Sequence, residues 1–279
     1  MPDQPSGLGK LMAPVKAILA MPNDSPRKII IVAVVLCLVC SVIVSAAAIG
    51  LRPLQEVNKQ LEIKRNILQV AGLMRPGASI DELFKQIEPR VVDLRTGDFS
   101  DAVDPATYDQ RAAARDPAQS EALPISEDLA SIKRQAHYAT VYLVKGEDGK
   151  ATTVILPVHG YGLWSTLYGY LAVKPDGRQI VGLQFYEHAE TPGLGGEVDN
   201  PSWRGQWPEK LIFDDDGNVK IDVVKGAATS GPDADYEVDG LAGATLTSRG
   251  VGNLVRYWAG ENGFGPFLMN LQQRLADNG

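Results

Sequence analysis

Twenty-three consecutive residues, Ile29 to Leu51, carry no charged side chain, and this run constrains the chain more than any other feature. At 1.5 Å per residue a helix of that length reaches about 34 Å, enough to cross a hydrocarbon core about 30 Å thick. The run predicts one transmembrane helix over 29–51, preceded by a short segment 1–28 on the cytoplasmic side and followed by residues 52–279 as a folded domain. A cleavable signal peptide competes, since Ala46-Ala47-Ala48 offers a small-residue cleavage pattern. The run is longer than the roughly 7–15 apolar residues of a signal core, which favours the span. Lys10, Lys16, Arg27 and Lys28 before the run are matched by Arg52, Lys59, Lys64 and Arg65 after it, so the basic residues do not fix the orientation. A large acidic domain is translocated largely regardless of loop charge, and this places the domain outside.

Residues 52–279 hold 23 basic and 32 acidic side chains, a net charge of −9. That balance excludes a basic nucleic-acid footprint. The two cysteines, Cys37 and Cys40, both lie inside the apolar run, so the domain has no disulfide, thiolate zinc site, iron–sulfur cluster or cysteine nucleophile of its own. In lipid the two thiols lack an acid–base partner and read as small apolar side chains; a partner helix carrying a metal or cluster is the other reading. Leu36 and Val39 are too large to precede a lipoprotein-type cysteine.

After the span, Leu54, Val57, Leu61, Leu68 and Leu73 recur at helical spacing, and Pro76-Gly77 is the expected stop. Ser79 and Glu82 form a capping-box pattern opening a short helix that must end before Pro89. Residues 96–120, rich in Asp, Ala and Pro, read as an exposed excursion. From His137 the character turns to β, with strands expected over 137–145, 151–158, 168–174, 178–187 and 219–225 and a hairpin pairing 141–145 with 152–156. Helices are expected from Thr247 or Ser248 and over 266–276. The order predicts an α+β domain, an antiparallel sheet packed on helices, with its core about 135–260.

Three segments carry candidate chemistry. In Gly160-Tyr161-Gly162-Leu163-Trp164-Ser165-Thr166 glycines admit close approach of a flat or phosphorylated ligand and the hydroxyls supply donors, though a glycine-rich hairpin with Trp164 in the core reads equally well. Ser165 lacks the flanking glycines of a nucleophile elbow. His188-Ala189-Glu190-Thr191-Pro192-Gly193-Leu194-Gly195-Gly196 follows a strand and offers successive backbone N–H groups to an anion or a ring carbonyl. Val198 stands where a dinucleotide fingerprint needs its third glycine, and His188 with Glu190 gives only two metal ligands. Asp239-Gly240-Leu241-Ala242-Gly243-Ala244-Thr245-Leu246-Thr247-Ser248 leads small residues into a helix whose N-terminus would stabilise a phosphate near 245–248; a plain N-cap by Thr247 or Ser248 is the bland alternative.

Taken together, these segments resemble the FMN-binding domain family, which has one branch in the sodium-translocating NADH:quinone oxidoreductases (NqrC) and another in the Rnf complexes (RnfG). Asp239, Gly243, Ala244 and Thr245 match its flavinylation motif Asp-x-x-Ser/Thr-Gly-Ala-Thr, with Ala242 in place of the hydroxyl residue. The match extends through Gly-Leu-Trp-Ser at 162–165, Glu-Thr-Pro-Gly-Leu-Gly at 190–195 and Gly-Pro-Phe at 265–267. The length and the insertion at 90–130 favour the NqrC branch over the RnfG branch.

The resemblance implies that a separate flavin transferase esterifies Thr245 to the 5′-phosphate of FMN. It sets Trp164, Ser165, Thr191, Gly193 and Leu194 against the flavin, Gly243, Ala244, Leu246 and Thr247 around the attachment point, and Lys225 near the phosphate. It further implies an electron relay in a bacterial inner membrane with the domain in the periplasm. Electrons would come from an iron centre on the membrane-embedded subunits and go to the flavin of NqrB, with ubiquinone the final acceptor and Na⁺ or H⁺ pumped; NqrD and NqrE are further expected partners. No NADH site is expected on this chain. A membrane-anchored module that binds a peptide or glycan without covalent flavin is the rival class. A hydrolase is disfavoured, since His137, His159 and His188 lie in no nucleophile–base motif.

Overall fold

The computed structural model describes residues 18, 20–228 and 231–277; most of the segment 1–28 lies outside them. The chain divides into two compact units, Met1–Gln60 and Leu61–Gly279. The first contains most of α1 (Pro26–Val70), a helix long and apolar enough to cross a membrane. Its apolar side chains from Ile29 to Leu51 are exposed, with Ile31 alone half-buried, as lipid-facing residues in a span are. The helix does not break after the apolar run, and Pro53 sits inside it. It also ends earlier than Pro76-Gly77. Gly72 adopts φ +70°, the Leu73 N–H donates to the Leu68 carbonyl at 2.9 Å and the Gly72 N–H to Gln69. That is a glycine-terminated Schellman end, and it stops the helix at Val70.

The second unit is built on a six-stranded antiparallel sheet in the order β2-β1-β5-β6-β7-β8. Its strands are β1 (Ile87–Asp93), β2 (Asp98–Phe99), β5 (Tyr138–Lys145), β6 (Ala151–Tyr161), β7 (Thr166–Val173) and β8 (Ile180–Glu187). The expected hairpin is present, with Tyr142 opposite Ile155 and Leu143 opposite Val154. β1 was not legible in advance. It begins directly after α2 (Ile80–Phe84) and contains Pro89, a residue confined to strand edges. β2 pairs only with Val92 and Asp93, so at Pro89 the strand is bonded on one side alone. Ser79 is the N-cap of α2 but makes no side-chain capping bond.

Alternation along β6 and β7 sends Val154, Leu156, Val158, Leu167, Leu171 and Val173 into one core, and Ile155, Tyr170 and Ala172 into another on the opposite face. The larger core is closed by α5 (Thr245–Ala259) through Val251, Leu254, Val255 and Trp258. The smaller is covered by Ile67, Leu68 and Val70 of α1 with Leu83 and Phe84 of α2. The architecture is therefore α+β, an antiparallel sheet packed on helices.

Residues 96–120 are more ordered than an exposed excursion. They form β2, α3 (Gln110–Arg115) and the start of a hairpin of β3 (Ser120–Ala122) with β4 (Arg134–Ala136). Arg111 anchors α3 to the sheet. Its guanidinium lies 3.4 Å from the Tyr168 ring centroid and donates to Glu187 at 2.7 Å and to the Tyr186 hydroxyl at 3.1 Å. The strand expected over 219–225 shrinks to β9 (Asp222–Val223), paired in parallel with β10 (Glu237–Val238). α4 (Pro201–Arg204) follows the loop after β8. The last helical stretch is broken at Asn270 into α6 (Gly265–Met269) and α7 (Leu271–Asp277).

Candidate functional site

Three connections of the second unit converge. The turn between β6 and β7 carries Gly162-Leu163-Trp164-Ser165, the segment after β8 carries His188 to Gly196, and the segment between β10 and α5 carries Asp239 to Ala244. All three motifs come from elements bordering the larger core, which explains how residues far apart in sequence share one end of the domain.

A buried carboxylate holds them together. Glu190 is 5% exposed. Its Oε1 accepts the backbone N–H groups of Leu163 at 3.1 Å, Trp164 at 3.0 Å and Ser165 at 3.2 Å. Its Oε2 accepts the Thr247 hydroxyl at 2.7 Å. Two glycines make the room: a Cβ on Gly162 would stand 2.6 Å from Oε1, and one on Gly195 would stand 2.6 Å from Thr247 Oγ1 and 2.8 Å from Oε2. Burial by itself would raise the Glu190 pKa. The bonds from Trp164, Thr247, Leu163 and Ser165 outweigh it and hold the carboxyl below its ordinary value. The remaining polar groups follow the same plan. Ser165 Oγ accepts the Ala189 N–H at 2.7 Å, His188 Nδ1 accepts the Glu190 N–H at 3.2 Å, and His188 Nε2 lies 2.9 Å from Asp199.

The third segment is tied down at each end. Asp239 receives the Trp203 indole N–H on its carbonyl at 2.7 Å and the Ala228 N–H on its carboxylate at 2.6 Å, and donates its own N–H to Gln206 at 2.9 Å. Ser248 Oγ accepts the Leu241 N–H at 2.8 Å and donates to the Ala244 carbonyl at 3.1 Å. α5 opens at Thr245, two or three residues before the expected Thr247 or Ser248, with Ala244 as N-cap and no side-chain capping bond. Thr247 and Ser248 are not caps, because their hydroxyls are committed to Glu190 and to the preceding loop.

Thr245 is exposed at the first position of α5. No acceptor takes the N–H groups of Thr245, Leu246 or Thr247 among the described residues, and the helix N-terminus gives that end a positive field. Thr245 also lines a cavity of about 460 Å³ together with Asp222, Lys225, Gly226, Arg249 and Arg256. Arg256 pairs with Asp222 at 3.5 Å. Lys225 and Arg249 make no ion pair among the described residues, so two cations without an ion-pair partner line the same cavity as the threonine. Above it, Leu194 packs against Gly243, whose added Cβ would meet the leucine Cδ2 at 3.0 Å. Trp164 is 65% exposed, and Leu194 and Leu246 are exposed as well.

The structure thus brings Trp164, Ser165 and Thr247 onto one carboxylate and Leu194 onto Gly243, and sets Lys225 and Thr245 on the lining of one cavity. Thr191 and Gly193 are exposed in the same segment as Leu194, with the Thr191 carbonyl accepting from Leu194 at 3.1 Å and Gly196 at 2.9 Å. Trp164 is a surface residue and not the core residue that the glycine-hairpin reading required. Glu190 as the hub and Arg249 as a cavity cation were not assigned from sequence. Arg249 stands four residues after Thr245, a spacing that places both on one helix face and was available as a signal.

These features match known proteins. Residues 162–260 match the FMN-binding domain family. The chain is 52% identical over 256 residues to the C-type subunit (NqrC) of a Na(+)-translocating NADH-quinone reductase from Pseudomonas aeruginosa, covering 90% of this chain and 98% of that one. It is 48% identical over 261 residues to the protein of the same name from Yersinia pestis, covering 92% and 97%. Among solved structures, Shewanella oneidensis NqrC superposes with a TM-score of 0.71 at 36% identity, covering 78% of this chain and 99% of that one. By the extent and identity of these matches, the chain belongs to the NqrC family of the Na(+)-translocating NADH-quinone reductases.

Proposed function

We propose that this chain is an electron-relay subunit of a Na⁺-translocating NADH:ubiquinone oxidoreductase and that it carries FMN as a phosphodiester on Thr245 Oγ1. The observation that carries this reading is the exposed Thr245 hydroxyl at the N-terminus of α5, on the rim of a cavity that holds Lys225 and Arg249. A phosphate needs N–H donors and counter-charge, and the free first-turn N–H groups and the two cations offer both. An isoalloxazine ring needs a flat apolar wall, and the exposed faces of Trp164, Leu194 and Leu246 supply it. The donor set therefore fits FMN.

In attachment, Thr245 Oγ1 loses its proton to a base of the flavin transferase and bonds to phosphorus. The bond from phosphorus to the leaving group of a phosphoanhydride of FMN breaks. Leaving Thr247 with Glu190 and Ser248 with the preceding loop keeps the two neighbouring hydroxyls out of competition. Bound FMN supplies the redox chemistry, which no side chain of this domain offers. Around it, the chain's own residues fix orientation, limit water on the Leu194 side and tune the field through Lys225 and Arg249. Electrons would reach the domain from an iron centre on the membrane-embedded subunits and leave for the flavin of NqrB, with NqrD and NqrE as further partners. α1 crosses the inner membrane once, with the domain in the periplasm.

Thr245→Val tests the attachment, because it removes the acceptor oxygen and little else. With the transferase co-expressed, the denatured wild-type band fluoresces under ultraviolet light and the variant band is dark. A fluorescent variant would move the acceptor elsewhere.

A further inference from the structure

Glu190 sits where three motif segments meet, yet neither a redox step nor phosphate binding calls on it. We infer that Glu190 is the positioning residue that sets the direction of the Thr245 hydroxyl, by pinning the first turn of α5 to the 163–165 turn. The inference rests on the reading of Thr245 as the flavin acceptor.

A carboxylate is acceptor-only, and here four donors converge on it: three consecutive backbone N–H groups on Oε1 and the Thr247 hydroxyl on Oε2. Hydrogen bonds to an ionised acceptor are about twice as strong as neutral ones. Thr247 follows Thr245 by two residues, a rotation of about 200° around a helix axis. When Thr247 is fastened inward, Thr245 is turned outward, as their burial records: Thr247 is 0% exposed and Thr245 lies on the surface. Ser248 binds the turn only to its own preceding loop. Among the described residues, Thr247 to Glu190 is the one hydrogen bond that joins the 239–248 segment to the other two. Gly162 and Gly195 leave space for this carboxylate from two sides, so two glycines of the motifs serve Glu190 as well as any ligand.

A glutamine is nearly isosteric here. Its Oε1 keeps the three N–H groups, and its amide N–H donates to Thr247 Oγ1. An alanine loses all four bonds.

The test measures the rate of flavin attachment to the full chain in detergent, with purified transferase and its flavin donor, for wild type, Glu190→Ala, Glu190→Gln and Thr247→Val. Loss of a bond of this kind corresponds to about tenfold in rate. Glu190→Ala is expected to be slowed by about tenfold or more, Thr247→Val by a similar factor, and Glu190→Gln to recover within about threefold of wild type. Thr247→Val removes a single bond and keeps the test decisive where Glu190→Ala does not fold. Attachment to Thr247→Val at the wild-type rate, or a Glu190→Gln as slow as Glu190→Ala, overturns the inference while wild-type labelling leaves the reading of Thr245 intact. A wild type that takes no flavin overturns both.

Discussion

His159 is held between the Tyr168 ring, stacked at 5.5 Å, and the Trp258 ring at 5.0 Å. Its backbone carbonyl takes the Trp258 indole N–H. Burial, with the Arg111 guanidinium adding to it, lowers its pKa from 6.5 to about 4. The neutral ring is the folded form, so the unfolded chain binds the extra proton between those values. Stability from this group is complete above pH 6.5 and declines as pH falls toward 4, by at most about 3 kcal/mol. Chemical denaturation of the wild type from pH 7 to 4.5 is expected to show that decline, and His159→Phe to flatten it. Equal slopes would mean that the ring is protonated in the folded state. Glu190 contributes with the same sign. Its folded pKa lies below the ordinary 4.5, so its share is present above 4.5 and is lost at lower pH. The two windows overlap between pH 4.5 and 4, and Glu88 and Asp93, also held below their ordinary values beside Lys145 and Arg95, lose their shares in the same acid range. Neither role was legible from the residues alone. The three N–H groups on Glu190 come from positions 25 to 27 residues away, and no spacing rule reaches that far.

At the scale of the element, α5 carries the proposed acceptor, Thr245, and closes the larger core. Its backbone approaches the β6–β7 turn so closely that a Cβ on Gly250 would lie 2.5 Å from the Tyr161 carbonyl and 3.0 Å from Gly162 Cα. Gly250→Ala should gain about 1 kcal/mol of helix propensity on an open surface. Here overpacking is expected to win, with a net loss of about 1–3 kcal/mol in urea denaturation. A stabilised variant would show that α5 can shift away from the turn. The strands β5 to β8 were read close to their limits because both faces obey the two-residue period and the turns carry Gly and Asp. β1 escaped because Pro89 read only as the limit of the preceding helix, and the end of α1 escaped because Gly72 and not the Pro76-Gly77 pair supplies the left-handed cap. The 96–120 segment was opaque because its order comes from Arg111 reaching across to Tyr168 and Glu187, a tertiary contact without periodicity.

For the whole molecule, the charge pattern and the apolar helix bear on topology together. The basic residues on the two sides of the span balance, so orientation depends on the acidic domain being carried across. Alkaline phosphatase fused to the C-terminus is expected to be active and a fluorescent protein at the same place dark. The reverse pattern would put the domain in the cytoplasm and remove the periplasmic relay. The flavin motifs were legible as a set because three short sequences of small residues, each ambiguous alone, occur in a fixed order. Their convergence on Glu190 required the fold. The site of flavin attachment has a clean readout: trypsin, cleaving after Lys225 and after Arg249, releases residues 226–249 as one peptide whose hydroxyls are those of Thr229, Ser230, Tyr236, Thr245, Thr247 and Ser248. Fragmentation of that peptide from chain made with the transferase is predicted to find the added FMN phosphoryl mass on Thr245. The same mass on any of the other five hydroxyls, or an unmodified peptide, would contradict the account.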